Sequence, residues 1–133
     1  MQALSDEMGD STTDKGQGRR ASLVLGVRAE NRVAAALQNR GWTILERNWL
    51  ARGGELDLVV SQGQRLRFVE VKARQSGDLV GLEAVNPRKR RCLVRAARAY
   101  LARNEDCWSE VCFLLAYVEG DRVHWYDDPF DVS

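Results

Sequence analysis

The sequence has little of what many metal and redox sites are built from. It contains one histidine, His124, and three cysteines, Cys92, Cys107 and Cys112, none in a C-x-x-C pair. A single histidine excludes sites that need two, such as those of H-E-x-x-H zinc hydrolases. Three cysteines without such a pair argue against a disulfide framework and a zinc knuckle, so a reducing cytoplasm is the expected location.

Long hydrophobic runs are also absent. The longest apolar stretches, such as residues 111–118, fall far short of the roughly 20 residues that a membrane-spanning helix needs, so no membrane partner is expected. The first 20 residues are polar and rich in Gly, Ser and Thr, unlike a secretory signal. We predict a flexible tail over residues 1–20 and a single domain over residues 21–133, a suitable length for one core.

Hydrophobic periodicity predicts two helices. The first lies within residues 22–42 and ends at Gly41, and its inward stripe is expected to consist of Leu23, Val27, Ala34 and Leu37. The second is expected to begin with Asn86 as the N-cap and Pro87 at the first helical position, and to run to about residue 103.

Five strands complete the predicted architecture. The β-branched and aromatic segments fall at residues 42–50, 55–60, 65–73, 110–118 and 122–127, and the second and third are joined by the turn sequence SQGQ. The expected order is therefore α-β-β-β-α-β-β. This order indicates an α/β domain with helices flanking a mixed sheet.

Charged residues interrupt the two most strand-like segments. Because side chains alternate along a strand, Glu55 and Asp57 should share one face, opposite Leu56, Leu58 and Val60. Glu70 and Lys72 should likewise share a face with Phe68. A solvated face of an antiparallel sheet explains this pattern. Alternatively, if Asp57 lies opposite Phe68 or Glu70, the acids converge and need a cation between them.

Another acid, Glu30, falls within the apolar series of the first helix. A carboxylate that points toward the sheet needs a partner, which Lys72, Arg74 or a metal ion could supply. The alternatives are a position at the rim of the helix or a simple ion pair. Oxygen ligands without histidine or cysteine favour Mg²⁺ or Mn²⁺ over zinc, and Asp57 with Glu70 would suffice to hold such an ion.

The chain resembles the PD-(D/E)XK nuclease superfamily in its D…E-x-K signature. The matching residues are Glu30 on a helix, and Asp57 and Glu70-x-Lys72 on two strands. The core of that superfamily is a helix, a three-stranded meander, a second helix and a further strand. More narrowly, the chain resembles the YraN-like family of small bacterial proteins. The matching stretches are AENRVAAALQNRGWTILERNW, GGELDLVV, FVEVKAR and GLEAVNPRKRRCLVRAARAYL.

The resemblance implies a restriction-endonuclease-like fold and a set of roles. It makes Asp57 and Glu70 ligands for Mg²⁺ or Mn²⁺, Lys72 the catalytic lysine and Glu30 an accessory acid, with Glu55 as a further accessory candidate. The implied activity is metal-dependent hydrolysis of phosphodiester bonds in DNA or branched nucleic acid. The alternative is a non-catalytic nucleic-acid-binding or adaptor protein that retains the fold. Some enzymes of this fold act as dimers, so a homodimer is also an open alternative.

The sequence departs from the family before its fourth strand. The family often has Arg-Phe-Asp there, whereas this chain has Glu110-Val111-Cys112. The prediction is that any contribution of that aspartate to the site is missing.

The second helix carries seven basic residues and no acid between positions 88 and 103. If its inward stripe is Leu93, Ala97 and Tyr100, the opposite side presents the arginine ridge Arg88, Arg91, Arg95 and Arg98, while Lys89 falls nearer the inward side. Such a ridge suits the phosphate backbone of nucleic acid, although a solvated surface is the alternative. The four tryptophans could stack on bases, but packing is their commoner use.

Overall fold

The computed structural model describes residues 14–73, 87–104 and 108–127, with side chains from residue 25 onward. The elements are α1 (Asp14–Asn39), β1 (Thr43–Ala51), β2 (Gly54–Gln62), β3 (Arg65–Ala73), α2 (Pro87–Arg103), β4 (Glu110–Glu119) and β5 (Arg122–Asp127). This order and the α/β class match the prediction. Within the described residues, no helix is both long and apolar enough to cross a membrane.

The five strands form one mixed sheet in chain order, β1 to β5. All neighbours are antiparallel except β3 and β4, which run parallel. Parallel neighbours need a crossover connection, and α2 lies in it. Each face of the sheet is therefore covered by a helix, with one apolar cluster under α1 and another under α2.

Helix α1 differs from its prediction at the start and in its inward stripe. It begins at Asp14, so residues 14–20, predicted as part of a flexible tail, are helical, and residues 1–13 lie outside the described part. Val27 is 56% exposed, contrary to prediction. The inward stripe instead runs in steps of four through Ala29, Val33 and Leu37, with Ala34 beside it.

Helix α2 has the predicted bounds, from Pro87 to Arg103, while Asn86 lies outside the described residues. It buries Leu93, Ala96, Ala97 and Tyr100 against the sheet. The β1–β2 turn packs so closely on α2 that a Cβ on Gly54 would come within 2.4 Å of the Cys92 carbonyl oxygen. This contact fixes the start of β2 against the helix.

The position of Cys112 bears on the prediction drawn from the missing aspartate. Cys112 pairs in register with Arg67 rather than with the level of Glu70. Arg67 is buried and forms an ion pair with Glu110 at 2.6 Å. Since Glu110 lies two residues from Cys112 on the same face of β4, it supplies an acid next to Arg67. The difference from the family sequence at Cys112 therefore lies next to this ion pair and away from the acids of β2 and β3.

Candidate active site

Three polar residues are level on neighbouring strands. We call Asn48, Asp57 and Glu70 the polar row. The flanking pairings are Arg47 with Leu58, Trp49 with Leu56, and Leu58 with Val69. Continuing these registers by one residue puts Asn48 beside Asp57 and Asp57 beside Glu70. This is the arrangement under which the sequence predicted that the acids converge.

The β2–β3 ladder ends at the polar row. Its pairing covers Leu58 to Gln62 and stops before Asp57. The Asp57 side chain replaces a backbone partner there, because its Oδ2 accepts a hydrogen bond from the Val71 N–H at 2.8 Å. Leu56 and Leu58 pack in different clusters, on opposite faces of the sheet, although they are two residues apart. The predicted shared face of Leu56 and Leu58 is therefore wrong, since β2 bends where it parts from β3.

Glu70 is a buried carboxyl group beside a second acid. It is 4% exposed, and among the described residues its Oε1 has no hydrogen-bond partner. Desolvation by burial, with the nearby charge of Asp57, raises its pKa to about 8. At neutral pH this carboxyl group therefore keeps its proton unless a cation favours the charged form.

Two lysines supply positive charge to Glu70. Lys89 of α2 is the nearer, with its Nζ 3.2 Å from Glu70 Oε2, while Lys72 Nζ lies 3.9 Å from the same oxygen. Burial by itself lowers the pKa of Lys89, but the charge of Glu70 and its hydrogen bond outweigh burial and raise it. Lys89 thus faces the carboxylates, as its predicted position near the inward side of α2 allows.

Glu30 lies at the rim of α1, half-buried, rather than fully inward. Its Oε1 accepts a hydrogen bond from Asn48 Nδ2 at 3.2 Å. Desolvation raises its pKa and the charges of Asp57 and Glu55 act in the same direction, whereas the Asn48 hydrogen bond lowers it. The predicted partners were Lys72, Arg74 or a metal ion. The structure gives Asn48 as a hydrogen-bond partner, and Arg74 lies outside the described residues.

The predicted arginine ridge is exposed along α2. A groove of about 320 Å³ lies between its members Arg91, Arg95 and Arg98, together with Arg90 and Val94. Arg95 crosses the β1–β2 turn so closely that a Cβ on Gly53 would meet its guanidinium Nη1 at 2.6 Å. The ridge therefore continues into the turn that leads to Glu55, which is itself exposed.

The structure restricts the candidate metal ligands to a pair. Within the described ranges, His, Cys, Asp and Glu side chains do not gather in threes around a point that could hold a metal ion. Asp57 and Glu70 are the two carboxylates that the polar row brings together. Two carboxylates are enough for Mg²⁺, which usually keeps several waters.

The family model described as the uncharacterised protein family UPF0102 matches residues 29–124, which include the polar row, Glu30 and all of α2. The chain belongs to this family. A UPF0102 protein from Synechococcus sp. (strain CC9902) is 41% identical over 77% of this chain and 90% of its own length. Another, from Dechloromonas aromatica (strain RCB), is 35% identical over 93% of this chain and 94% of its own. The family membership predicted from the motifs is confirmed.

Sequence reasoning about this UPF0102 chain missed the role of Asn48. The usable signal was an asparagine in the middle of a strand-like segment, because Asn48 has a φ of 50° and Asn tolerates this left-handed conformation better than most residues. The tryptophans serve packing, the favoured alternative. Trp49 lies edge-on to Tyr100, Trp42 lies under the guanidinium groups of Arg65 and Arg67, and Trp125 lies under that of Arg40.

Proposed function

We propose that this UPF0102 protein is a metal-dependent nuclease that hydrolyses phosphodiester bonds in DNA or branched nucleic acid. The observation that carries the proposal is the polar row, in which Asp57 lies near the buried Glu70 and two lysines lie next to Glu70. Perturbed pKa values of this kind cluster at functional sites. A sheet held together only by packing gains nothing from an acid placed next to a buried carboxyl group.

The residues of the row fit Mg²⁺ or Mn²⁺. Asp57 and Glu70 would hold the ion, and the buried Oε1 of Glu70, without a hydrogen-bond partner among the described residues, is an oxygen suited to it. When bound, such an ion polarises a phosphoryl oxygen and lowers the pKa of a bound water.

The protein's own groups have separable roles in this proposal. Lys72 stabilises the negative charge that develops on the phosphate, since it is about one-third exposed beside Glu70. Lys89 favours the charged form of Glu70 more than Lys72 does, because it is the closer cation. Glu30 adds an acid at the rim of the same site.

The arginine ridge supports nucleic acid as the substrate. Phosphate contacts by arginine orient a backbone but carry no base code, so we expect weak sequence preference. Because Arg95 packs against the β1–β2 turn, a backbone that follows the ridge is led toward the strand that carries Asp57.

A cleavage panel tests the proposal. Labelled duplex, single-stranded, flapped and four-way DNA are incubated with Mg²⁺ or Mn²⁺ and wild type, Asp57→Asn or Lys72→Met. The control is Asp121→Asn, which removes an exposed acid in the β4–β5 turn. We expect wild type and the control to cleave DNA. Asp57→Asn and Lys72→Met should cleave it at least about 100-fold more slowly. Equal cleavage by all four proteins would indicate a contaminant and contradict the proposal.

Metal binding gives a second readout that does not depend on the choice of substrate. Mg²⁺ should raise the melting temperature of wild type and of Asp121→Asn but not of Asp57→Asn, because a ligand that binds the folded state stabilises it. DNA binding that is independent of Asp57 and of divalent ions, without cleavage, would favour the non-catalytic adaptor instead.

A further inference from the structure

We propose that Asn48 is a positioning residue, whose strained backbone and side-chain amide hold Glu30 at the edge of the polar row. The inference rests on the proposed nuclease function, in which Glu30 is the accessory acid. It assigns the role of positioning that acid to a residue of a different element, the edge strand β1.

The backbone of Asn48 is the first observation. Its φ is 50°, and it is the only non-glycine residue with positive φ in the part of the chain that the structure describes. Such a conformation is strained even for a tolerant residue, and it persists only where surrounding contacts maintain it. Here the neighbours Arg47 and Trp49 keep regular pairing with β2, so the strain is confined to one residue.

The direction of two consecutive side chains is the second observation. Arg47 Nη1 donates to Asn31 Oδ1 at 3.0 Å, and Asn48 Nδ2 donates to Glu30 Oε1 at 3.2 Å. Both side chains therefore reach α1. In a regular strand, successive side chains point to opposite faces. The positive φ of Asn48 thus turns its amide toward the helix, which an extended residue at this place would not do.

The chemistry of the contact is the third observation. The acids nearest to Glu30, Asp57 and Glu55, repel its charge. An amide donor anchors a carboxylate without adding a charge, whereas a lysine or arginine in the same place would neutralise it. Asn48 therefore holds Glu30 in place beside other acids and leaves its charge available to the site.

A double-mutant cycle tests the proposal. Asn48→Gly removes the amide but tolerates the positive φ, so it separates the side chain from the backbone. We expect it to lower the cleavage rate by about 10- to 100-fold in wild type. In the Glu30→Gln background it should lower the rate by no more than about twofold, since non-additivity marks residues that act through each other. Equal losses in both backgrounds, or no loss in wild type, would overturn the proposal.

Asn31→Ala is the matched control. It breaks the neighbouring contact between the same helix and strand but leaves Glu30 and Asn48 unchanged. We expect cleavage within about twofold of wild type and no coupling to Glu30→Gln. A loss equal to that of Asn48→Gly would mean that the two contacts matter only for docking β1 on α1, and would also overturn the proposal.

A readout without catalysis separates this proposal from the nuclease function. Carboxyl-carbon NMR follows the titration of Glu30 directly. Asn48→Gly should raise the pKa of Glu30 because a hydrogen bond to its charged form is lost, and Asn31→Ala should leave it in place. If wild type fails to cleave any DNA, the nuclease function fails. If the pKa of Glu30 is then unchanged in Asn48→Gly, the positioning role is overturned as well. If that pKa is raised, the positioning role stands.

Discussion

At the scale of single residues, the most consequential property is the proton on Glu70. The unfolded chain loses it near pH 4.5, whereas the folded chain keeps it to about pH 8 because the side chain is buried beside Asp57. Between these values the folded state binds more protons. The free energy of unfolding therefore falls as the pH rises through this window.

Replacing Glu70 should remove this dependence. Without divalent ions, Glu70→Gln and wild type should melt at similar temperatures at pH 5, where both side chains are neutral. Above pH 8 the variant should melt higher, by at least about 5 °C, because wild type then buries a charge. Thermal melts from pH 5 to 9 measure the difference. Parallel curves for the two proteins would mean that Glu70 titrates normally.

The ion pair between Arg67 and Glu110 offers a second test at this scale. Glu110→Gln should lower the melting temperature at neutral pH, since buried Arg67 loses its 2.6 Å partner. Adding Cys112→Asp should restore most of the loss, because residue 112 pairs with Arg67 and its Sγ lies 3.7 Å from the Glu110 carboxylate.

The pH dependence of that loss provides its control. The Arg67 hydrogen bond and charge lower the pKa of Glu110, so the stabilisation is present at neutral pH and disappears as the pH falls through the folded-state pKa. The difference between Glu110→Gln and wild type should therefore vanish in acid. Thermal melts of the single and double variants, at neutral and acid pH, measure both effects. A failure of Cys112→Asp to restore stability would contradict our account of Cys112.

At the scale of elements, the contact of the β1–β2 turn with α2 controls the start of β2. Gly54→Ala should destabilise the protein by about 3 kcal/mol, the upper end of the usual overpacking effect, because the obstructing atom is the backbone carbonyl of Cys92. Gly26→Ala is the control. It has open space around it in α1 and should stabilise the helix by up to about 1 kcal/mol. Urea unfolding compares them, and equal effects would contradict the close contact.

The elements themselves could be predicted from the sequence because each has a clear period. α2 was predicted with its bounds, since its apolar positions recur at helical spacing and Pro87 marks its start. The bend at Asp57 could not be predicted. It depends on a side chain replacing a backbone partner, a tertiary contact that leaves the alternating pattern of β2 unchanged. The approach of Lys89 to Glu70 likewise depends on how α2 packs across the sheet.

At the scale of the whole molecule, charge is concentrated rather than abundant. The net charge is only +1, so long-range attraction to nucleic acid is slight. Binding should therefore depend on local phosphate contacts.

Salt dependence measures those contacts. When the logarithm of the affinity for duplex DNA is plotted against the logarithm of the salt concentration, the slope should be about one unit per phosphate contacted. Arg91→Gln with Arg98→Gln should reduce the slope by about two units. Arg122→Gln, which removes one positive charge at the start of β5, should leave it unchanged. Fluorescence anisotropy from 50 to about 200 mM salt measures the slopes. An equal slope for wild type and for the double ridge variant would mean that the nucleic acid binds elsewhere.

The parallel pairing of β3 with β4 has a consequence for the order of folding. Strands β1 to β3 are joined by short turns, whereas Glu70 pairs with Leu115, far along the chain and beyond α2. Contacts between near neighbours close at a lower entropic cost, so we expect the three-stranded meander to form before the sheet is completed. During folding, Asp57 and Glu70 would therefore meet before α2 docks and brings Lys89 next to them.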